Sequence, residues 1–200
     1  MLSSPPVRNG YLTVGWWRGA PLRVHWTLPL GALVLGGGNF QPGVLLGFTL
    51  LVLAHEVGHA LLVRRYRCRV ISIDVHALGG VCRWSGDATA IERAKIAWGG
   101  VDAQLALFCA TVGLLACFGE PESRIPSQIA RTFTTINGYM MALNLLPVAP
   151  FDGAEAWKLP RLLAARRRAR APALAPKTVT QKAVDERLQE LARDPWSGKH

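Results

Sequence analysis

Long apolar runs separated by short polar stretches are the dominant pattern along the chain. Four runs stand out, at residues 24–40, 43–63, 96–118 and 129–148. About 20 apolar residues are enough to form a membrane-spanning helix. The first run is shorter, since as a helix it would reach only ~25 Å against ~30 Å of hydrocarbon, and it is expected to be tilted or partly re-entrant. The pattern predicts a mostly α-helical, polytopic membrane protein with about four transmembrane helices.

A different pattern fills the gap between the second and third runs. Residues 70–76 and 80–84 are alternating or β-branched stretches on either side of the Ala-Leu-Gly-Gly sequence at 77–80. Two such stretches joined by a short glycine-containing turn predict a small β-hairpin between the second and third transmembrane helices. Residues 22–25 also fit a short strand.

The two ends of the chain differ in composition from the apolar middle. The N-terminal residues are polar and punctuated by Pro and Gly, and the chain becomes basic after Gly153. An Ala/Pro linker lies at 171–176, and apolar residues fall at helical spacing over 178–193. Three parts are therefore predicted: a cytoplasmic N-terminal segment at 1–23, a membrane-embedded core at 24–158, and a basic cytoplasmic tail with a short amphipathic helix at 159–200.

The charge distribution determines the expected orientation. Half the residues are hydrophobic and 18% are charged, which favours a membrane protein with polar ends. Of the 23 Lys and Arg residues, three precede the first run, seven separate the second run from the third, and eleven follow Gly153, so that only Arg124 and Arg131 remain. Because positive charge collects on the cytoplasmic side, both termini are predicted to be cytoplasmic in a multi-pass cell-membrane protein. The excess of Arg over Lys and the many Ala residues favour a bacterial inner membrane.

The same distribution accounts for the net charge of +10 without nucleic acid. The basic residues within 166–170 are expected to contact anionic lipid headgroups. Nucleic acid is not an expected partner, because no aromatic or fold signal accompanies the basic residues. The four cysteines show no CxxC spacing, so free thiols are expected rather than a disulfide framework or a structural zinc site.

The candidate chemistry lies inside the second apolar run. Its sequence LLVLAHEVGHALL places His55, Glu56 and His59 among apolar residues. Histidines four residues apart share one face of a helix and can bind one metal ion. HExxH is the zinc metalloprotease pattern, in which the Glu is the general base. Ionisable groups in a membrane-length helix are costly and are therefore functional candidates. The alternative is a buried polar patch between packed helices of a soluble protein.

A hydrolytic zinc site needs a third protein ligand and one open position. In the predicted topology the second and fourth runs both pass from outside to inside, and His55 lies ~18 Å along the second. Asp152 follows the fourth run and is the best-placed third ligand, while Asp102 is the runner-up as a ligand or a neighbouring group. Asn144 either hydrogen-bonds the substrate or bridges helices. Pro and Gly residues within 147–153 are expected to break the helix beside a wet cavity.

Two motifs together resemble one known family. HEVGH in an apolar helix, followed by NLLPVAPFDG, is similar to the site-2 protease family of intramembrane zinc metalloproteases. The likeness extends to GAPLRVHWTLP before the first run, to Gly79 and Gly80, and to IAWGGVDAQ entering the third run. It implies cleavage of membrane-spanning protein substrates within or beside the bilayer. The sequence departs from the family at 99–104, where Gly-Pro followed by Asn is usual, and this affects the expected substrate contacts of the third helix.

The resemblance also implies roles for individual residues. One Zn²⁺ per chain would be bound by His55, His59 and Asp152. Glu56 would accept a proton from water and later give it to the leaving amine. Asn144 would help to position the substrate at the site.

Two further hypotheses concern partners and function. The hairpin that contains Gly79 and Gly80 is expected to bind the extended substrate as an added strand. A second class of function is a catalytically silent membrane module that binds metal or a partner. Metal transport is disfavoured, because the sequence lacks the several intramembrane acidic and histidine residues that such a path needs.

Overall fold

The computed structural model describes residues 7–170 and 181–193. The helices are α1 (Leu28–Leu35), α2 (Pro42–Arg65), α3 (Ala90–Phe118), α4 (Arg124–Arg131), α5 (Asn137–Asn144), α6 (Gly153–Ala156), α7 (Leu159–Arg170) and α8 (Gln181–Arg193). The strands are β1 (Val7–Arg8), β2 (Tyr11–Trp17), β3 (Ala20–His25), β4 (Arg69–His76) and β5 (Gly79–Ser85). The chain divides into two units, the first ending at Leu162 and the second beginning at Leu163.

Helix α2 is the centre of the first unit. It has 24 residues, and the neighbouring α3 has 29; both are long and apolar enough to cross a membrane. The two helices approach closely at Gly58, where an added Cβ would overlap the carbonyl oxygen of Gly99. Small residues permit this approach, because they let two helix backbones pack without intervening side chains.

The first apolar run does not form the predicted helix over 24–40. Only Leu28–Leu35 is helical, and eight residues reach ~12 Å, which is less than half of a hydrocarbon layer. The start of the run belongs to strand β3, and its end is a glycine turn in which Gly37 and Gly38 have φ values of 74° and 81°. These positive values favour glycine and terminate the helix.

The fourth apolar run is helical, but it is displaced from the predicted 129–148. Helices α4 and α5 are joined by a π-helical segment, Thr132–Ile136, and the helical stretch ends at Asn144. The π-helical segment packs on α2, where an added Cβ at Gly47 would come within 2.9 Å of the Thr132 side chain. Within the described part of the chain, α2 and α3 are the two candidate membrane spans, so the count of four stays a prediction.

The predicted hairpin is part of a larger sheet. Strands β4 and β5 pair antiparallel with Val75 opposite Gly80, close to the predicted bounds. The strand order is β1-β2-β3-β4-β5, and β3 and β4 run parallel while the other pairs are antiparallel. Strands β2 and β3 lie in the region expected to be a separate N-terminal segment, and the boundary predicted at residue 23 falls inside β3. The short strand predicted at 22–25 is therefore present, but it belongs to this sheet.

The second unit contains helix α8, and the predicted tail helix over 178–193 is helical from Gln181 to Arg193. Its apolar residues Val184 and Leu188 are exposed. The predicted linker at 171–176 lies outside the described residues.

A charged cluster joins the parallel strands of the sheet. The Asp74 carboxylate on β4 is 1% exposed and accepts hydrogen bonds from Arg23 on β3, at 2.6 Å to Nε and 2.7 Å to Nη2. Arg23 Nη2 also donates to Ser72 Oγ at 3.0 Å. Arg83 Nε on β5 lies 3.2 Å from the same carboxylate. Asp74 thus connects three neighbouring strands, and its burial makes the connection depend on Arg23.

Replacing Arg23 with Met is expected to lower the free energy of unfolding by about 1–3 kcal/mol, because the buried Asp74 carboxylate would lose the guanidinium that donates to both of its oxygens. The matched variant Arg83→Met should cost less than about 1 kcal/mol, since the Arg83 side chain is 59% exposed. Chemical unfolding in a mild detergent measures both values. Equal losses in the two variants would contradict this account of the sheet.

Candidate metal centre

Three potential metal ligands converge at one point of the first unit. His55 and His59 lie one turn apart on α2, and Asp152 immediately precedes α6. The Nε2 atoms of the two histidines are 3.0 Å apart, and Asp152 Oδ2 lies 3.0 Å from the first and 3.1 Å from the second. The structure therefore brings together the three residues proposed as zinc ligands from the sequence.

The remaining nitrogen of each imidazole has its own partner on α3. His55 Nδ1 lies 2.9 Å from Gln104 Oε1, and His59 Nδ1 lies 2.7 Å from the carbonyl oxygen of Ile96. Both partners accept hydrogen bonds, so each Nδ1 carries a proton in the neutral ring and each Nε2 presents a lone pair. Such outer contacts orient metal-binding histidines and fix their tautomer.

The donor set fits a zinc ion. Two neutral Nε2 atoms and a carboxylate oxygen are all acceptors, and three acceptors within 3.1 Å of one another repel unless a cation lies among them. Zinc binds imidazole nitrogen and carboxylate oxygen at ~2.0–2.2 Å, so atoms with this separation can share one ion. Two histidines and one carboxylate also leave one coordination position open for chemistry, as in hydrolytic zinc sites.

The chain around Asp152 is irregular, as the Pro and Gly residues predicted. Helix α5 ends at Asn144, and α6 begins only at Gly153. Gly153 packs directly on the preceding loop, because an added Cβ would overlap the carbonyl of Leu145. The Trp157 indole N–H donates to the Leu145 carbonyl at 2.7 Å, and the Trp98 indole N–H donates to the Ala156 carbonyl at 3.1 Å. These contacts fix the loop that carries Asp152 against α3.

Glu56 is buried between α2 and the sheet, with 3% of its surface exposed. Its carboxylate lies directly against Gly80 of β5, where an added Cβ would be 2.5 Å from Oε1. Gly79, which precedes it, is also buried and has a φ of 131°. Of the two glycines proposed from the sequence as a substrate contact, Gly80 therefore lies against the proposed general base, and the substrate contact itself stays a prediction.

Burial also determines the protonation state of Cys82 on β5. Burial in the sheet, together with the Glu56 and Asp74 carboxylates, raises the pKa of the Cys82 thiol to about 12. The thiol is thus protonated at neutral pH, and thiolate chemistry does not compete with the metal centre. The four cysteines are free, as expected.

Asn144 lies at the edge of the centre. Its Nδ2 is 3.4 Å from Gln104 Oε1 and 3.5 Å from His55 Nδ1. These are long contacts, so the amide is close to the ligands but is not held tightly by them. A role in positioning the substrate stays a prediction.

The runner-up residue, Asp102, does not join the site. It is exposed and faces a different cavity, near Trp98 and Lys95. Gln104, which sequence reasoning did not select, is fully buried and contacts His55 instead. The signal was present in the spacing, since Ile96, Gly100 and Gln104 recur every four residues along α3. Gly100 is pressed against the imidazoles, where an added Cβ would be 2.5 Å from His59 Nε2.

Gln104→Ala is expected to weaken zinc binding about 10- to 100-fold, because His55 would lose the acceptor that orients its ring. Competition with a chelator, followed by measurement of bound zinc, provides the test. Asp102→Asn is the matched control on the same helix and should keep wild-type zinc affinity. Loss of zinc in the control with retention in Gln104→Ala would reverse the assignment of these two residues.

Comparison with known proteins gives an independent line of information. No family model matches the chain. The chain is 35% identical over 146 residues to Rip3 of Mycobacterium tuberculosis, in strains H37Rv and Erdman, a protein whose name describes it as a zinc metalloprotease. The match covers 72% of this chain and 33% of Rip3, so the chain spans about a third of the length of the curated relatives it matches.

The fold also has a solved counterpart. A site-2 protease from Methanocaldococcus jannaschii superposes with a TM-score of 0.56 and 19% sequence identity, covering 78% of this chain and 72% of that one. At this identity the likeness concerns the fold alone. The shared fold, the Rip3 relationship and the converging His, His and Asp ligands together support the site-2 protease family of zinc metalloproteases as the family of this chain.

Proposed function

We propose that the protein is an intramembrane zinc endopeptidase that cleaves membrane-spanning protein substrates in regulated intramembrane proteolysis. The observation that carries this proposal is the convergence of His55, His59 and Asp152 within 3.1 Å, on a helix that also carries the buried Glu56. One zinc ion per chain is proposed, because a single cluster of this kind occurs in the part of the chain that the structure describes.

The location of the cluster along α2 supports cleavage inside the bilayer. His55 is 13 residues beyond Pro42, or ~20 Å along a helix of ~36 Å. In the proposed multi-pass topology, with both termini in the cytoplasm and the protein in a bacterial inner membrane, this depth corresponds to the cytoplasmic half. The helix ends in Arg64 and Arg65, in agreement with a cytoplasmic end.

The metal ligands, Glu56 and Asn144 are proposed to have separate roles in peptide hydrolysis. A zinc ion bound by these ligands supplies a Lewis acid that polarises oxygen and lowers the pKa of water toward ~7. Glu56, whose carboxylate is held against Gly80, accepts the proton of the attacking water and returns it to the leaving amine. The hydrogen bonds from His55 to Gln104 and from His59 to Ile96 keep both Nε2 lone pairs directed at the centre. Asn144 is proposed to hydrogen-bond the substrate backbone near the bond that is cleaved.

The substrate is proposed to bind as an extended strand beside β5. A helix hides its carbonyl groups in internal hydrogen bonds, so the segment must unwind before it is cut. Strand β5 is at the end of the sheet order, and its free edge offers backbone donors and acceptors to a segment that has unwound. Gly79 and Gly80 begin this strand, and the missing side chain at Gly80 lets the Glu56 carboxylate lie directly against it.

The basic tail is proposed to contact anionic lipid headgroups. Arg166, Arg167 and Arg168 are exposed on α7. Each such charge near an anionic surface contributes ~1 kcal/mol of attraction. Nucleic acid is not part of the proposal.

Glu56→Gln should abolish proteolysis while zinc remains bound, because the amide cannot accept the proton but the metal ligands are intact. The expected loss is at least ~100-fold. Membrane-protein fragments are compared between cells carrying wild type and the variant, and zinc is measured in the purified protein. Glu155→Gln is the control, since Glu155 is paired with Lys158 instead of facing the centre. Unchanged fragments in Glu56→Gln would favour the silent metal-binding or partner-binding module.

Gly80→Ala should reduce cleavage about 10- to 100-fold with zinc content unchanged. The added Cβ would come within 2.5 Å of Glu56 Oε1 and would displace the carboxylate. A displacement of ~1 Å at a catalytic group can lower the reaction rate about 100-fold. Gly138→Ala is the matched control, because an added Cβ there meets nothing within 4 Å. Full activity in Gly80→Ala would show that the position of Glu56 does not depend on the glycine.

A further inference from the structure

A basic cavity lies where the end of α2 meets the β2–β3 turn and the start of β4. Its volume is about 390 Å³. Four of its eight lining residues are arginines, and none of the eight belongs to the metal centre. The arginines are Arg18, Arg64, Arg67 and Arg69, and Trp17 lies beside them.

The positive charge of this cavity is not neutralised by neighbouring acidic groups. Across residues 7–170 and 181–193, none of its four arginines forms an ion pair with a carboxylate. Arg23 and Arg83, by contrast, share the buried Asp74. The guanidinium of Arg64 lies over the Trp17 ring at 5.8 Å from its centroid, which steadies the charge without cancelling it. The cavity therefore offers several unneutralised guanidinium groups to an anion.

Two of the arginines occupy backbone positions that usually hold Gly or Asn. Arg18 has a φ of 48° and Arg67 a φ of 60°. Arg18 begins the two-residue β2–β3 turn, and Arg67 follows the C-terminus of α2, where the Cys68 N–H donates to the Val63 carbonyl at 3.0 Å. Left-handed backbone is unfavourable for a long side chain, and such positions concentrate at functional sites. Both unfavourable positions carry the same charged residue and line the same cavity.

The surroundings of the cavity indicate the source of the anion. Arg64 is in the last turn of α2, a candidate membrane span, and its guanidinium lies over the ring of Trp17. Trp17 stacked with Arg64 at the end of such a helix is a combination typical of the headgroup layer of a membrane. Guanidinium groups bind phosphate oxygens in a forked geometry. We propose that this cavity binds the phosphate-bearing headgroup of an anionic phospholipid.

This site is separate from peptide hydrolysis. A headgroup held by Arg18 and Arg67 would join the β2–β3 turn to the end of α2, and so it would stabilise the first unit whether or not the metal centre is active. It is also distinct from the basic tail, because all of its lining residues precede residue 71.

The experiment titrates purified full-length protein, in an uncharged detergent, with dioctanoyl phosphatidylglycerol and follows the thermal unfolding midpoint. The lipid should raise the midpoint of wild type. The double variant R18Q/R67Q should bind about 30-fold more weakly, because each charge near an anionic lipid contributes about a fivefold factor in affinity. Arg65→Gln is the matched control, since Arg65 is exposed in the same helical turn but does not line the cavity. It should keep most of the wild-type response.

Two further arms identify the ligand and separate binding from folding. Dioctanoyl phosphatidylcholine and inorganic phosphate, at the same concentrations, should each give a much smaller shift; a shift equal to that of phosphatidylglycerol from either one would overturn the proposal. Arg67→Gly relieves the left-handed backbone and should therefore be at least as stable as wild type without lipid, yet respond more weakly to it. A full lipid response in Arg67→Gly or in R18Q/R67Q would likewise overturn the proposal.

Discussion

The mutual approach of three lone-pair donors is the constraint on which the rest of the structure depends. Two imidazole nitrogens and a carboxylate oxygen lie 3.0–3.1 Å apart, and a cation shared among them would turn their mutual repulsion into attraction. The Gln104 and Ile96 oxygens prevent the rings from turning away, because each holds the proton of an Nδ1 atom. The fold therefore prepares the ligand arrangement, and a metal completes it.

Close backbone packing around the centre follows from this constraint. α3 contacts the imidazoles at Gly100, β5 contacts Glu56 at Gly80, and the loop carrying Asp152 folds over Gly153. At each of these positions an added Cβ would lie 2.5 Å or closer to a neighbouring atom. Gly100 and Gly80 thus let α3 and β5 lie directly on the functional side chains of α2, and Gly153 lets the loop that carries Asp152 fold tightly on itself. Cores do not deform continuously, so a small displacement at one contact is transmitted to the site.

The chemistry was more predictable from sequence than the architecture. The i, i+4 spacing of His55 and His59 is a local property of a helix, and the motif order pointed to Asp152. Gln104 was not selected because its four-residue spacing from Gly100 and Ile96 gains meaning only once α3 is known to face the two histidines. The run at 24–40 was wrongly predicted as one helix. A hydropathy pattern carries no information about strand pairing, and the start of this run pairs with β4 in the sheet. Pairing between distant strands depends on contacts that local patterns do not contain.

Zinc K-edge X-ray absorption of the purified protein tests the central claim most directly. The account predicts one zinc per chain, coordinated by two imidazoles and further oxygen atoms at ~2.0–2.2 Å, with this coordination lost or altered in Asp152→Ala. A shell of sulfur atoms at ~2.3 Å would contradict it. So would a zinc environment that is identical in wild type and Asp152→Ala, because the metal would then lie outside the group formed by His55, His59 and Asp152.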